Sequence, residues 1–160
     1  GISISQAIKT GYHFVNWTNA SGTVIANSAS ATITMPDTSV TYTANVALNT
    51  YTVVYNGNGH TGGSTASSSH TYGTAKALNS NGFTKNGYVF QGWATTLSKA
   101  NAGTVDYTNG QSVTNLTTTH QGTVNLYAVW KPFTNMYIWT NKKDGTSKWV
   151  PVTKHVYTSK

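Results

Sequence analysis

The sequence predicts a mainly β protein in which one small module is followed by a second, related module. Three observations support this class. A Gly-Tyr-x-Phe-x-x-Trp phrase occurs twice, apolar and polar residues alternate in several runs, and Asn-Gly pairs lie between the runs. Alternation with a period of two is typical of strands that bury one face, and Asn-Gly is a strong turn signal. No convincing helical period is present, so we expect at most one short helix, at 75–80 or in the first few residues.

The repeated phrase indicates duplicated architecture. It covers residues 11–17 and returns 76 positions later at 87–93. Strict alternation would place each Trp on the opposite face from the Tyr and Phe before it. We therefore predict a β-bulge at Asn16 and Gly92, since Asn and Gly most easily adopt left-handed backbone conformations. The bulge would return each Trp to a buried core, which large rings favour. The alternative is a platform of exposed rings that stack on sugars.

The main strands follow in order from the alternating runs. They cover residues 40–48, 51–55 and 124–130. The first and last runs match at an offset of 84 positions, against 76 for the aromatic phrase, so the second copy has eight extra residues. These fall in the polar stretch 95–119, where a loop would absorb them.

The first copy has no counterpart of the strand at 51–55 that opens the second copy. It is therefore either truncated upstream or completed by another strand. An open β edge favours pairing with a further strand. We hypothesise that the first copy is a docking edge for an upstream repeat or a neighbouring chain, which includes strand-mediated self-association.

The last 30 residues combine a predicted hairpin with most of the positive charge. Aromatic runs at 136–140 and 148–150 flank Asp144-Gly145, which reads as a β-hairpin. Six of the ten Lys lie here, and the net charge of the chain is +7. This charge is typical of a solvated surface, but it would also attract an anionic envelope or an acidic glycan. We expect no nucleic-acid partner, because the chain has no Arg for bidentate contacts.

Composition excludes several other classes. Charged residues make up 8% of the chain and aromatic residues 12%, which argues against intrinsic disorder, since disordered chains are charged and poor in aromatics. The absence of Cys excludes disulfides, thiolate metal sites and Cys nucleophiles. No apolar run approaches the roughly 18 residues of a membrane span.

Patterns typical of catalytic sites are weak. Residues 57–62 match G-x-G-x-x-G, but neither the helix nor the acid that a dinucleotide site needs follows, so we predict a turn. The three Asp are far apart, which argues against paired-carboxylate catalysis. The His residues lack metal-ligand spacing. His60 and His70 could meet across a hairpin, but we expect both to be solvated loop histidines. We therefore predict that the chain is not an enzyme and that it has no catalytic residues, no cofactor and no metal site.

The ordered motifs of the second copy resemble the InlB B-repeat family, also called the Listeria–Bacteroides repeat. The resemblance is carried by residues 51–59, 83–93 and 124–130. The first copy resembles a divergent repeat, in which Asn16 stands where Gly is usual. The resemblance implies tandem β-grasp-like modules in secreted or cell-surface bacterial proteins, with no catalytic residues. We divide the chain accordingly into a divergent repeat at 1–49, a full repeat at 50–131 and a C-terminal aromatic hairpin segment at 132–160.

Two functions remain open. The first is a non-enzymatic structural or spacer segment of an extracellular, adhesin-like bacterial protein, with neighbouring repeats as its partners. The second is a ligand-binding module for a glycan or host protein, on a surface or phage tail protein. Its predicted ligand surface consists of Tyr137, Trp139, Lys142, Lys143 and Trp149. Burial of the three aromatic side chains would argue against the second function.

Overall fold

The computed structural model describes residues 1–134, 137–141, 145 and 147–151, and for 137–141 and 147–151 it describes the backbone alone. Strands predominate in these residues, and the predicted mainly β class is confirmed. We call residues 1–48 the first module and residues 50–132 the second module. Asn49 lies between them.

The first module consists of five short strands in two sheets. They are β1 (Ile2–Ser5), β2 (Tyr12–Thr18), β3 (Val24–Ala26), β4 (Ser30–Ile33) and β5 (Thr43–Leu48). β1 pairs antiparallel with β4, and β2 lies between β3 and β5 in an antiparallel sheet. The repeated aromatic phrase therefore forms the central strand of this sheet.

The second module is larger and is built around a mixed sheet. Its elements are β6 (Thr50–Asn56), β7 (Gly62–Gly63), β8 (Ser68–Thr71), β9 (Lys76–Ala77), β10 (Phe83–Thr84), β11 (Tyr88–Ala94), α1 (Leu97–Asn101), β12 (Ser112–Val113) and β13 (Gly122–Pro132). The sheet order is β11-β13-β6-β8. β13 and β6 run parallel, whereas β11 with β13 and β6 with β8 are antiparallel. Two short antiparallel pairs, β10 with β7 and β12 with β9, complete the module.

Both predicted positions of the short helix are wrong. The first residues form β1, and β9 occupies part of 75–80. The helix α1 instead lies in the stretch 95–119 that contains the eight extra residues of the second module. Thr96 caps it, since its side chain accepts a hydrogen bond from the Lys99 N–H. Ala100 is buried and packs in a cluster with Ala94 and Val129, so tertiary contact rather than helical periodicity holds this short element.

The predicted C-terminal hairpin is confirmed at the level of the backbone. β14 (Tyr137–Asn141) and β15 (Ser147–Pro151) pair antiparallel, with Trp139 opposite Trp149. No helix within the described part of the chain is long and apolar enough to cross a membrane.

The hydrophobic core lies in the second module. β6, β11 and β13 supply most of its buried residues, and the shorter elements and loops supply the others; together they are Tyr51, Val53, Tyr55, Leu78, Phe83, Trp93, Val113, Leu126 and Ala128. In the first module, Trp17 is the one buried large apolar side chain. The two modules therefore share a sheet motif but bury very different amounts of apolar surface.

Candidate functional site

The repeated phrase has the same strand register in both modules. β2 pairs with β5 from Tyr12 opposite Leu48, and β11 pairs with β13 from Tyr88 opposite Pro132. Both pairings shift register at the same point of the phrase, between residues 14 and 16 and between residues 90 and 92. The predicted β-bulge is confirmed in both copies.

The two bulges use different backbone conformations. Gly92 has a φ of 149°, and a Cβ at this position would lie 2.5 Å from Val105 Cγ1 and 2.7 Å from the Tyr107 carbonyl oxygen. Only Gly fits there. Asn16 has no positive φ, so the expected left-handed conformation at this residue is wrong. Its side-chain oxygen instead accepts a hydrogen bond of 2.8 Å from Asn45 Nδ2, across the strand pair.

The Trp residues of the phrase serve as core residues, as predicted. Trp93 has no exposed surface, and its ring centroid lies 4.8 Å from that of Tyr55 and 4.9 Å from that of Phe90. Trp17 retains 7% exposure. Neither indole is available to stack on a sugar, whereas Tyr88 of the second copy is 38% exposed.

A buried polar chain crosses the core of the second module. The Asn79 N–H donates to the Tyr55 hydroxyl (2.8 Å), which is bonded to Ser68 Oγ (2.8 Å), and Ser68 Oγ is bonded to His70 Nε2 (2.8 Å). His70 is 1% exposed. The expectation of a solvated loop histidine is wrong for His70, because β8 places this side chain on the inner face of the sheet.

The environment of His70 disfavours its charged form. Burial, and to a smaller degree the positive charge of Lys76, lower the pKa of His70 from its ordinary value of 6.5. Its Nδ1 is buried and has no hydrogen-bond partner among the described atoms, so a proton there would lack an acceptor. His60, by contrast, is exposed, with its ring centroid 4.6 Å from that of Phe83. The two histidines do not form a joint site.

Asp106 has more contacts than Asp37, the other acid that the structure describes, and these contacts are structural. Its Oδ2 accepts hydrogen bonds from the Thr95 N–H (2.8 Å) and Thr95 Oγ1 (2.9 Å), and Lys99 Nζ lies 3.2 Å from Oδ1. These bonds, first among them that from the Thr95 backbone, lower the pKa of Asp106. Asp106 thus anchors the polar stretch around α1 and is occupied by its partners.

Asn49 joins the two modules as a single buried residue. Its backbone N–H donates to Gly11 O in the first module (2.8 Å), and its carbonyl accepts from the Tyr72 N–H in the second (2.8 Å). Its side chain does the same, because Oδ1 contacts His13 Nδ1 (3.1 Å) and Nδ2 donates to Thr118 O (2.8 Å). The junction is therefore fixed by four polar contacts on one residue.

Two further contacts close the junction. The rings of His13 and His120 stack with centroids 3.6 Å apart, and the Thr50 N–H donates to His120 Nδ1 (3.2 Å). Gly11 packs against the ring of Tyr72 so closely that a Cβ would overlap it. The modules follow one another through packed surfaces, without a flexible linker between β5 and β6.

The segment 38–42 differs in structure from its counterpart in the second module. Its counterparts 84 positions later, residues 122–126, belong to β13 because β6 pairs with them. In the first module β5 begins at Thr43, so the predicted strand at 40–48 is wrong at its start. No described strand lies beside 38–42, and without a partner the alternation at Val40 and Tyr42 does not produce a strand. This segment also borders an open groove of about 470 Å³, which residues 19–21 and Ile25 line from the other side.

The predicted ligand surface stays a prediction. The structure places Tyr137 and Trp139 on β14 and Trp149 on β15, but only as backbone. Lys142 and Lys143 lie outside the described residues. Among the residues that the structure does describe, no group of three or more His, Asp, Glu or Cys could hold a metal ion.

Comparison with known families gives two adjacent matches. The model of the divergent InlB B-repeat domain matches residues 6–50, and that of the Listeria-Bacteroides repeat domain matches residues 51–129. Comparison with curated proteins and with solved structures gives no match. Repeat domains of the Listeria-Bacteroides type are found in bacterial surface proteins. The chain belongs to the InlB B-repeat family and carries one divergent copy followed by one full copy.

Proposed function

We propose that this chain is a non-catalytic spacer segment of a secreted or cell-surface bacterial protein, and that its second module resists tension along the polypeptide. The observation that carries the proposal is the parallel pairing of the first and last strands of that module. β6 and β13 are neighbours from Gly122 opposite Tyr51 to Tyr127 opposite Asn56.

Parallel terminal strands create a shear geometry. Tension pulls the start of β6 in one direction and the end of β13 in the opposite direction, so the strands must slide past each other. The backbone hydrogen bonds between them are then loaded together, and unfolding under force is governed by the barrier to this step. The first module lacks such a pair among its described strands, since β5 pairs only with β2.

Three other features support a structural role. The Trp residues of the repeated phrase are buried, the junction at Asn49 is fixed without a linker, and the family occurs in bacterial surface proteins. The buried or anchored ionisable groups are also engaged in the fold, because His70 belongs to the core chain and Asp106 anchors the α1 stretch. An enzyme would need converging free polar groups in a pocket.

Single-molecule force spectroscopy on the full chain tests this proposal. With handles at the two termini, we expect two unfolding events. They differ in the length of chain that is released. At about 3.5 Å per residue, this length is about 290 Å for the second module and about 170 Å for the first. The longer event should require clearly the higher force.

A second pulling geometry provides the control. The chain has no native Cys, so handles can be attached at Asn56→Cys and Lys131→Cys, near the same end of the β6 and β13 pair. This geometry peels the hydrogen bonds apart one after another, and the unfolding force should fall several-fold. Equal forces in the two geometries would contradict the proposal, as would a first module that unfolds at the higher force.

A further inference from the structure

We propose that residues 38–43 of the first module are a docking site for an extended peptide segment with the residue pattern of β6. The peptide runs parallel to residues 38–43. The site is defined by the backbone of this segment and by the apolar surface next to it. This inference is independent of the mechanical role of the second module.

The strand register relates residues 38–43 to the residues that pair with β6 in the second module. Because β2 and β5 reproduce the pairing of β11 and β13, including the bulge, residues 38–43 correspond to 122–127. Those are the residues that pair with β6 on the side opposite β11. The first module therefore contains the segment that corresponds to the backbone paired with β6 in the second module, and of this segment only Thr43 belongs to β5.

The apolar side chains of this segment are more exposed than their counterparts in the second module. Val40 is 47% exposed and Tyr42 is partly exposed, whereas their counterparts Val124 and Leu126 are half-buried and fully buried. Unpaired backbone next to apolar side chains favours the addition of a strand, because hydrogen bonds and apolar burial are gained together.

The residue pattern of β6 indicates the chemistry of the occupant. In the second module β6 directs Tyr51, Val53 and Tyr55 into the core, in strict alternation. The occupant should therefore alternate aromatic and β-branched residues with polar ones. It needs no charge, since 38–43 contains no charged side chain.

Space for large side chains is present in the first module. Ala7 stands 76 positions before the core residue Phe83, and Val46 stands 84 positions before Trp130. Ala7 and Val46 are smaller than Phe83 and Trp130, and they leave an open apolar groove of about 230 Å³. The groove is also lined by Gln6, Lys9 and Tyr12. In the second module the chain just after β6 covers the equivalent place, since Trp130 Nε1 donates to Gly57 O (2.8 Å). An occupant that continues past the strand would cover this groove.

The occupant is a free segment rather than a second folded copy of this chain. In the folded second module β6 already has a strand on each side, β13 and β8. It could not pair with another molecule without opening that module. The site therefore fits an extended peptide with the pattern Tyr-x-Val-x-Tyr that is not held in a folded repeat.

Disulfide trapping on the full chain tests the site. The chain has no native Cys, so Val40→Cys gives a single thiol. The probe is a synthetic peptide with the sequence of residues 50–56, a solubilising Lys tag and Cys in place of the residue equivalent to Val53. In the parallel register this position lies opposite residue 40, within the Cα separation that a disulfide spans. We expect the mixed disulfide to form at least ten-fold more than with Val105→Cys, a matched control at 37% exposure.

Strand direction gives a second readout. Parallel docking places the peptide position equivalent to Tyr51 opposite residue 38, whereas antiparallel docking would place the Tyr55 position there. A Thr38→Cys variant should therefore trap a peptide with Cys at the position equivalent to Tyr51. It should not trap a peptide with Cys at the position equivalent to Tyr55. Amide exchange of 38–42 in the unmodified chain should slow when the Cys-free peptide is added.

Several results would overturn the proposal. They are equal trapping at residues 40 and 105, trapping in the antiparallel pattern, and trapping that a scrambled peptide matches. Slow amide exchange of 38–42 in the free monomer would show that the chain covers the segment itself. Concentration-dependent self-association that protects 38–42 would assign the site to a second copy instead.

Discussion

The two modules contain the same aromatic strand, yet only the second has built a full core around it. In both modules this strand pairs in the same register with the equivalent partner strand, β5 or β13, and a bulge interrupts the pairing. In the second module Trp93 belongs to a core cluster to which β6 and β13 contribute, while in the first module Trp17 is the one buried large apolar side chain. The difference lies in β6 and in the size of the residues at positions such as Ala7 and Val46.

The strand pair and the hydrophobic core are determined by different parts of the repeat. The strand pair and its bulge depend on local alternation and on one partner strand, so a divergent copy retains them. The core depends on a strand from elsewhere in the repeat, because β6 supplies Tyr51, Val53 and Tyr55. A repeat can therefore keep its sheet motif and still depend on an additional strand for its apolar surface.

The largest expected difference between the modules follows from removing each Trp. Trp93→Ala should destabilise the second module by about 3–5 kcal/mol, since it leaves a cavity among well-packed rings. Trp17→Ala should destabilise the first module by less than half of that, because no other large apolar side chain of this module is buried and the site can collapse. Amide exchange of β13 and β5 under increasing urea measures each module separately. Equal losses would show that the first module has a core comparable to the second.

The bulges provide the next comparison. Gly92→Ala should destabilise the second module by about 1–3 kcal/mol, because its φ is 149° and a Cβ would meet Val105 and the Tyr107 carbonyl. Asn16→Ala removes a hydrogen bond from Asn45 but imposes no strain, so it should destabilise the first module by only about 0.5–1.5 kcal/mol. Urea unfolding of the two variants checks the order. A neutral Gly92→Ala would mean that the bulge rearranges to accept a side chain.

The smallest effect concerns pH and the buried His70 of the second module. The pKa of His70 is lower in the folded state than its ordinary 6.5, so the unfolded chain binds this proton more tightly. Its contribution to stability is complete above pH 6.5 and is lost as the pH falls through the lower, folded-state pKa. Urea midpoints between pH 7.5 and pH 5 measure this loss. His70→Gln should flatten the dependence, whereas His60→Gln, an exposed control, should leave it unchanged.

The features that the sequence predicted are those with a local cause. Alternation around Trp17 and Trp93 required a bulge, and the bulge is present in both copies. The hairpin of β14 and β15 and the existence of the strands β6 and β13 follow from alternation within short runs of the sequence. The lack of a counterpart to β6 in the first copy was visible in a comparison within the chain, and β5 has β2 as its one partner among the described strands.

The features that could not be predicted depend on distant partners. Residues 40–42 alternate like a strand but remain outside β5, since no strand is described beside them. His70 lies among Ser and Thr, a composition that predicts a loop. Its burial is evident only from the pairing of β8 with β6 and from the contact with Ser68. The helix α1 has five residues, too few to show a period, and it depends on the Thr96 cap and on the burial of Ala100.

The junction at Asn49 has a consequence for cooperativity. One residue donates and accepts for both modules, so unfolding either module leaves its buried polar groups without partners. The modules should therefore behave as neighbouring units of a one-dimensional array, in which an interface free energy couples the unfolding of each repeat to that of the next. A polypeptide cut between Asn49 and Thr50 would lose this coupling, even though both halves would keep all of their own strands.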